Sequence, residues 1–251
     1  MGLEIRLFES VFRAAARVAA GVLASGLVLM SFSLVAIAED PPPPAPLKSE
    51  LATWYVSAVV SGRSGFRVTH YWSKGSSLRA QTMVGIHPIT TIVHGDRYWV
   101  YDTLLNEGIE IKRAARAVVE AAKQTRPFGN DLEDLIRSDG EKVDSEILSG
   151  VAVETWRVTN DQGRRTVWVT LSEPKIVLRV ENFDRESGES ASLNYSNWTS
   201  NFDLPERAFE PPAGLRLQKF EYDEYIEKSL EGLVGPAPVL YPKLLHGPQF
   251  R

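Results

Sequence analysis

Thr91-Ile92-Val93-His94-Gly95-Asp96-Arg97-Tyr98-Trp99-Val100-Tyr101-Asp102 opens and closes on residues suited to strands and turns back in its middle. Two runs rich in β-branched and aromatic side chains flank His94-Gly95-Asp96-Arg97, a glycine-containing connection short enough to reverse the chain, so the stretch predicts strands over 89–94 and 97–102 joined as a hairpin. Upstream, Phe66, Val68, His70 and Trp72 alternate with Arg67, Thr69 and Tyr71, the period-two pattern of a strand with one dry and one wet face. A further strand over 77–84 makes this half a meander.

Downstream the period changes. In Arg113 to Gln124 the apolar residues Ala114, Ala115, Val118, Val119 and Ala122 form one helical stripe, with Arg116 and Glu120 a turn apart outside it. A second helix is expected from Asn130, a cap with Glu133 in the reciprocal position, carrying Leu132, Leu135 and Ile136 on its apolar side. After Gly140 alternation resumes over about 143–148, 151–159, 165–171, 176–182 and 191–199, with short turns at Asn160-Asp161-Gln162-Gly163 and Glu173-Pro174. The expected fold is mainly β with α: one strongly curved antiparallel sheet of nine or ten strands, with two helices closing its concave side.

Composition narrows the function. The 251 residues are 43% hydrophobic, enough for a sizeable core, and carry 28 basic against 32 acidic side chains, net -4. That balance is wrong for a nucleic-acid surface. With no cysteine there is no disulfide, thiolate metal site, cysteine nucleophile or lipidated N-terminal Cys. Arg6, Arg13 and Arg17 precede an uncharged run from Val18 to Ala38 that ends Ala36-Ile37-Ala38, so residues 1–38 read as a secretory signal, with an uncleaved anchor as the competing reading. Export from the cytoplasm follows. Residues 39–49, with Pro41 to Pro44 and Pro46, read as an extended spacer, 50–225 as the folded domain, and 226–251 as an extended or poorly ordered C-terminal extension.

Candidates for chemistry are few. His70, His87, His94 and His246 show neither His-x-His nor His-Glu-x-x-His spacing, so no metal is expected. No Gly-x-Ser-x-Gly elbow occurs, and Ser61-Gly62-Arg63-Ser64-Gly65 reads as a turn. The acidic run from Asp131 to Asp134 suits a helix N-terminus without catalysis, and no cofactor is implied. The reading is therefore a non-enzymatic protein. Asn194-Tyr195-Ser196 and Asn197-Trp198-Thr199 match glycosylation sequons, which matter only in a eukaryotic host.

Three segments resemble the LolA/LolB-like lipoprotein localisation factors: Thr91 to Asp102; Thr166-Val167-Trp168-Val169-Thr170 with Pro174 to Glu181; and Phe209-Glu210-Pro211-Pro212-Ala213-Gly214. The resemblance implies an incomplete, half-open barrel with a helical lid over an apolar cavity that holds a lipid or lipoprotein acyl chain. Its implied lining is Phe66, Val68, Trp99, Tyr101, Trp168, Leu178, Leu193 and Tyr195; the bland reading of each is core filler. Val118, Val119, Leu132, Leu135 and Ile136 would form the lid. Arg79, in Ser77-Leu78-Arg79-Ala80, is the nearest basic residue to the family's latch arginine and so the candidate latch. Lacking cysteine, the chain is not a lipid-anchored LolB. The function the resemblance implies is that of a periplasmic binding protein, with outer-membrane lipoprotein-sorting-like carriage of an acyl chain. The alternatives are an envelope-stress module resembling RseB that binds a membrane-protein partner, and an accessory subunit whose cavity is filled by its own side chains.

Overall fold

The computed structural model describes residues 51–63, 65–232 and 235–247; the signal segment and proline spacer lie outside them. The first half is a meander of six strands, β1 (Thr53–Gly62), β2 (Gly65–Lys74), β3 (Ser77–Val84), β4 (His87–His94), β5 (Arg97–Asp102) and β6 (Glu107–Lys112). Two helices follow, α1 (Ala115–Ala122) and α2 (Asp131–Ile136). The second half runs through β7 (Glu141–Leu148), β8 (Val151–Asn160), β9 (Gly163–Thr170), β10 (Val177–Asp184) and β11 (Ser190–Ser200). A 3-10 turn (Glu206–Phe209), β12 (Arg216–Phe220), α3 (Tyr222–Leu230) and α4 (Pro242–His246) complete the described chain.

All the strands form one sheet of twelve, ordered β12-β6-β5-β4-β3-β2-β1-β11-β10-β9-β8-β7. The first half steps outward from β1 and the second returns from the far edge, so β1 joins the halves through pairs such as Ala58 with Tyr195 and Val60 with Leu193. The sheet stays open, because β12 and β7 are its two edges. So many twisted strands curl rather than lie flat. The curved open sheet with helices matches the fold read from the sequence.

Several elements differ from expectation. β6 and β12 are strands beyond those read from the sequence, although in β6 Ile109 and Ile111 alternate with Gly108, Glu110 and Lys112, and β12 runs parallel to β6, Arg216 beside Glu107 through Phe220 beside Ile111, at the edge away from β7. Asn130 does not form the expected cap bond; its side-chain amide donates instead to the Arg126 carbonyl at 2.8 Å, closing the loop before α2. Glu120 pairs with Lys123 at 2.7 Å rather than with Arg116.

The largest departure is the C-terminal segment. Instead of trailing from the domain, residues 235–247 lie on the inner face of the meander. Ala237 and Leu245 are fully buried with Val56, Leu78, Tyr98, Val100 and Ile109, and Val239, Leu240, Tyr241 and Leu244 pack around them. Pro236, Pro238 and Pro242 remove both periodicity and N–H donors, which is why the segment reads as loop. Its attachment is largely apolar contact with strands more than a hundred residues earlier.

Gly235 marks the point of closest approach: a Cβ there would sit 2.2 Å from Ile109 Cγ2, a side chain with no exposure of its own. Gly235→Ala should therefore push the segment off β6 and cost about 1–3 kcal/mol, the usual range for overpacking, measured as a lowered urea midpoint.

Two smaller cores complete the packing. Leu132 and Leu135 of α2 cover Val167, Val169, Val177 and Val180 on the inner face of the second half. On the outer face of the meander, Phe209 of the 3-10 turn covers Ile92 and Tyr101, with Trp99, Leu204 and Leu215 around them. Both faces of β4 and β5 are thus dry.

Candidate functional site

A half-open groove of about 820 Å³ remains on the inner face, between α1, α2 and the C-terminal segment. Its floor is made by Tyr71, Leu78, Phe128, Tyr195, Leu240 and Tyr241, and its rim by polar residues that include Glu120, Asp134, Arg137, Gln162 and Lys243. The floor is a run of touching rings. Tyr71 stacks on Phe128 at 5.3 Å and meets Tyr241 edge-on at 5.9 Å; Phe128 lies 5.9 Å from Trp198, which lies 5.5 Å from Tyr195. Burial pushes the Tyr71, Tyr195 and Tyr241 phenols above their ordinary pKa, and the Asp131 carboxylate adds to this at Tyr195. The floor is therefore uncharged at neutral pH and suited to apolar matter.

The loop between the helices is held by Arg126, buried between Trp54 and Trp198 with its guanidinium 4.7 and 5.0 Å from the two ring centres. Its Nε donates to the Phe128 carbonyl at 3.1 Å and a terminal nitrogen to that of Gly129 at 3.4 Å. Burial lowers its pKa, and the two indole faces with the carbonyls offset the lost hydration. Gly129 carries φ +69°, and a Cβ there would stand 2.6 Å from Trp198.

α2 is tied to the sheet by Asp131, which accepts from Arg165 at 2.5 Å and from the Tyr195 hydroxyl at 3.1 Å. These bonds join the first residue of α2 to β9 and β11. Asp131→Ala should leave a partly buried guanidinium and a phenol without their acceptor, lowering stability by about 1–3 kcal/mol in urea unfolding. On the rim, Lys243 of α4 meets Asp134 of α2 at 3.2 Å, an exposed pair worth about 0–1 kcal/mol.

The opposite wall belongs to α1 and the C-terminal segment, joined by arginine bonds to backbone carbonyls. Arg113 donates to Leu244 at 2.7 Å, to Gly95 at 2.5 Å and to Ala117 at 3.1 Å, while Arg116 donates to His246 at 2.5 Å. The amide of Ala114 donates to Leu245 at 3.0 Å. α1 thus packs chiefly on α4.

Of the residues expected to line the hollow, Tyr195 does so, and Leu193 packs beside it under α2. Trp99 and Tyr101 lie on the other face, beneath Phe209, because β5 is apolar on both sides and its inner face is the one carrying Tyr98 and Val100. The same inversion holds on β2. Tyr71 points inward, while His70 and Trp72 join Tyr55 on the outer face, leaving Phe66 at the hairpin end 80% exposed and Val68 partly exposed. Trp168 also faces outward, under the Arg179 guanidinium at 5.3 Å, while Leu178 is half-buried at a register shift between Val177 and Arg179.

Of the residues expected to form a lid, Leu132 and Leu135 are buried; Val119 and Ile136 are exposed and Val118 half-exposed, since Ala117 and Ala121 form the buried stripe of α1. Arg79, the candidate latch, does not reach α1 or α2 in this structure. It donates to the Ala208 carbonyl at 3.1 Å, fastening the 3-10 turn to the outer face, and the arginine paired with α2 is Arg165, through Asp131. The residues missed are Tyr71, Leu78, Phe128, Leu240 and Tyr241. For the two on β2 and β3 the alternation was legible but not which parity faced inward.

The histidines lie apart. His70 meets Tyr55 at 2.9 Å, His87 meets Asp102 at 2.5 Å, His94 meets Ser77 at 2.9 Å and His246 meets Tyr222 at 3.1 Å. Among the described residues no group of three or more His, Cys, Asp or Glu could hold a metal ion, and no helix is long and apolar enough to cross a membrane.

No protein-family model and no curated protein matches the chain. Solved structures similar to it include an uncharacterized conserved protein from Thermus thermophilus, at 12% identity and TM-score 0.49 over 67% of this chain and 90% of that one. The MucA/MucB complex of Pseudomonas aeruginosa is similar at 13% identity and TM-score 0.41, covering 65% of this chain and 57% of that one. The lipoprotein LppX of Mycobacterium tuberculosis is similar at 12% identity and TM-score 0.39, covering 63% and 91%. At such identities the likeness is one of chain path.

Proposed function

We propose that the protein is an exported, non-enzymatic carrier that holds a lipid or lipoprotein acyl chain in the inner-face groove, with its polar part at the rim. The observation that carries this reading is the uncharged aromatic and aliphatic floor opening to solvent between polar walls. Each buried methylene is worth about 0.8 kcal/mol, so one acyl chain laid along such a floor is a sufficient ligand. The N-terminal segment read as a secretory signal supports an envelope location, where such cargo is found.

Native mass spectrometry of protein purified from its own envelope should show a hydrophobic ligand released on collisional activation, and palmitate should displace a bound fluorescent fatty acid. A ligand-free mass together with no displacement would end the proposal. Leu78→Trp, which fills the floor from β3, should weaken palmitate at least about tenfold if the groove is the site.

One feature favours the alternative of a regulatory module bound to a membrane protein. β7 is a free edge strand, exposed along nearly all its length, with Val143 and Ile147 at the surface, and an unpaired edge can take up a partner strand. Recovery of one stoichiometric membrane protein, lost when Ser145 and Ile147 are both replaced by proline, would select that reading.

A further inference from the structure

The C-terminal segment and an acyl chain would make similar demands of the inner face. Residues 235–242, Gly-Pro-Ala-Pro-Val-Leu-Tyr-Pro, include three prolines, so three N–H donors are absent where a strand would need them. Among the described residues the segment makes no ladder with β6 or any other strand; β6 pairs with β5 and β12. It lies on Leu78, Tyr98, Val100 and Ile109 through Ala237, Val239, Leu240, Leu244 and Leu245, and its polar fastening is concentrated at the far end, where Arg113 and Arg116 hold the carbonyls of Leu244 and His246. Leu240 and Tyr241 belong both to this buried strip and to the groove floor, so the covered surface and the open groove are continuous.

We infer that residues 235–247 are an internal occupant of the amphiphile site: the inner face of β3 to β6 is the deeper half of the same hollow, and a long acyl chain enters it by displacing Val239 to Leu245. This rests on the reading of the groove as an acyl-chain site and adds where a long chain goes and what it removes. A short chain fits in the open groove and leaves the segment in place. Because the covered state is the stable one, the apparent affinity for a long chain is reduced by the rarity of the uncovered state, and α1 sets that rarity through its hold on α4.

The absence of native cysteine permits a direct test. A Cβ at Gly247 would lie 2.9 Å from Arg116 Cγ, so a disulfide between Arg116→Cys and Gly247→Cys would pin residue 247 to α1; Gly247 has φ +91°, and the strain of a side chain there is common to the oxidised and reduced forms being compared. Octanoate and palmitate are titrated into this double variant, oxidised and reduced. Palmitate should bind at least about tenfold more weakly to the oxidised form, with octanoate unchanged. In the unmodified protein, saturating palmitate should speed hydrogen exchange of the Val239 to Leu245 amides at least about tenfold, while those of Tyr98 and Val100 hold.

Equal palmitate affinity in the two redox forms, or slower exchange of the segment on binding, overturns the inference while the groove reading stands. Failure of both fatty acids to bind any form overturns both.

Discussion

Leu245→Ala is expected to lower stability by about 3 kcal/mol, within the range for removing a leucine from a closed core, and to bring the thermal midpoint down by roughly 10 °C for a domain of this size. Leu245 has no exposed surface and sits among Val56, Leu78 and Ile111. Its own backbone is fixed, the carbonyl accepting from Ala114, so the cavity left by truncation cannot close by a simple shift of the segment. An appendage would behave differently, since substitutions away from the core change stability by about 0.5 kcal/mol or less. Urea unfolding followed by tryptophan fluorescence discriminates the two: a lowered midpoint at unchanged slope places the segment within the cooperative unit, and an unchanged midpoint would refute that. Palmitate should reduce the difference between wild type and variant, because the ligand-bound form no longer relies on Leu245.

The second large effect is on acid stability and centres on His246. Burial, and then the nearby Arg116 guanidinium, bring its pKa from the ordinary 6.5 down to about 4. Tyr222 meets it at Nδ1 and Tyr225 stacks on the ring at 6.3 Å, both from α3 and neither of them acidic. The folded pKa lies below the unfolded one, so the unfolded chain binds its proton first as pH falls. The full stability is present above about pH 6.5 and declines until about pH 4, where the folded form is protonated too, a loss of up to about 3 kcal/mol. Carboxylates with lowered pKa, such as Asp102 and Asp184, add their own loss at the acid end. The comparison that isolates the histidine is therefore wild type against His246→Gln at pH 7 and at pH 4.5. The variant should lose less than wild type between those values; parallel profiles would show that His246 does not govern the acid range.

Both effects arise from a segment that reads as loop, and the reason is physical. β2 to β5 were legible because each pairs with its sequence neighbour and carries an alternating or a β-branched and aromatic run: the strand over 77–84 and the hairpin around Gly95 form as read. Leu132 and Leu135 were legible as the apolar side of α2, and Tyr195 as a residue of the hollow. The contact of Arg79 with the 3-10 turn was not legible, because a sequence gives the strand a residue occupies but not which face is covered, and by what. When the 3-10 turn with Phe209 dries one face and the C-terminal segment dries the other, both parities of β5 are apolar and the pattern loses its sign.

The sequence by itself determined the strand-rich architecture, the place of the two helices between the halves and the lack of cysteine chemistry, because these depend on local periodicity and on composition. Only the tertiary structure decided which face is inner, that β12 lies parallel to β6, that Asp131 and Arg165 hold α2, and that residues 235–247 cover the inner face of the meander. Those features are contacts between residues from some thirty to well over a hundred positions apart, specified by shape and burial at the meeting point, and no short window of sequence carries them.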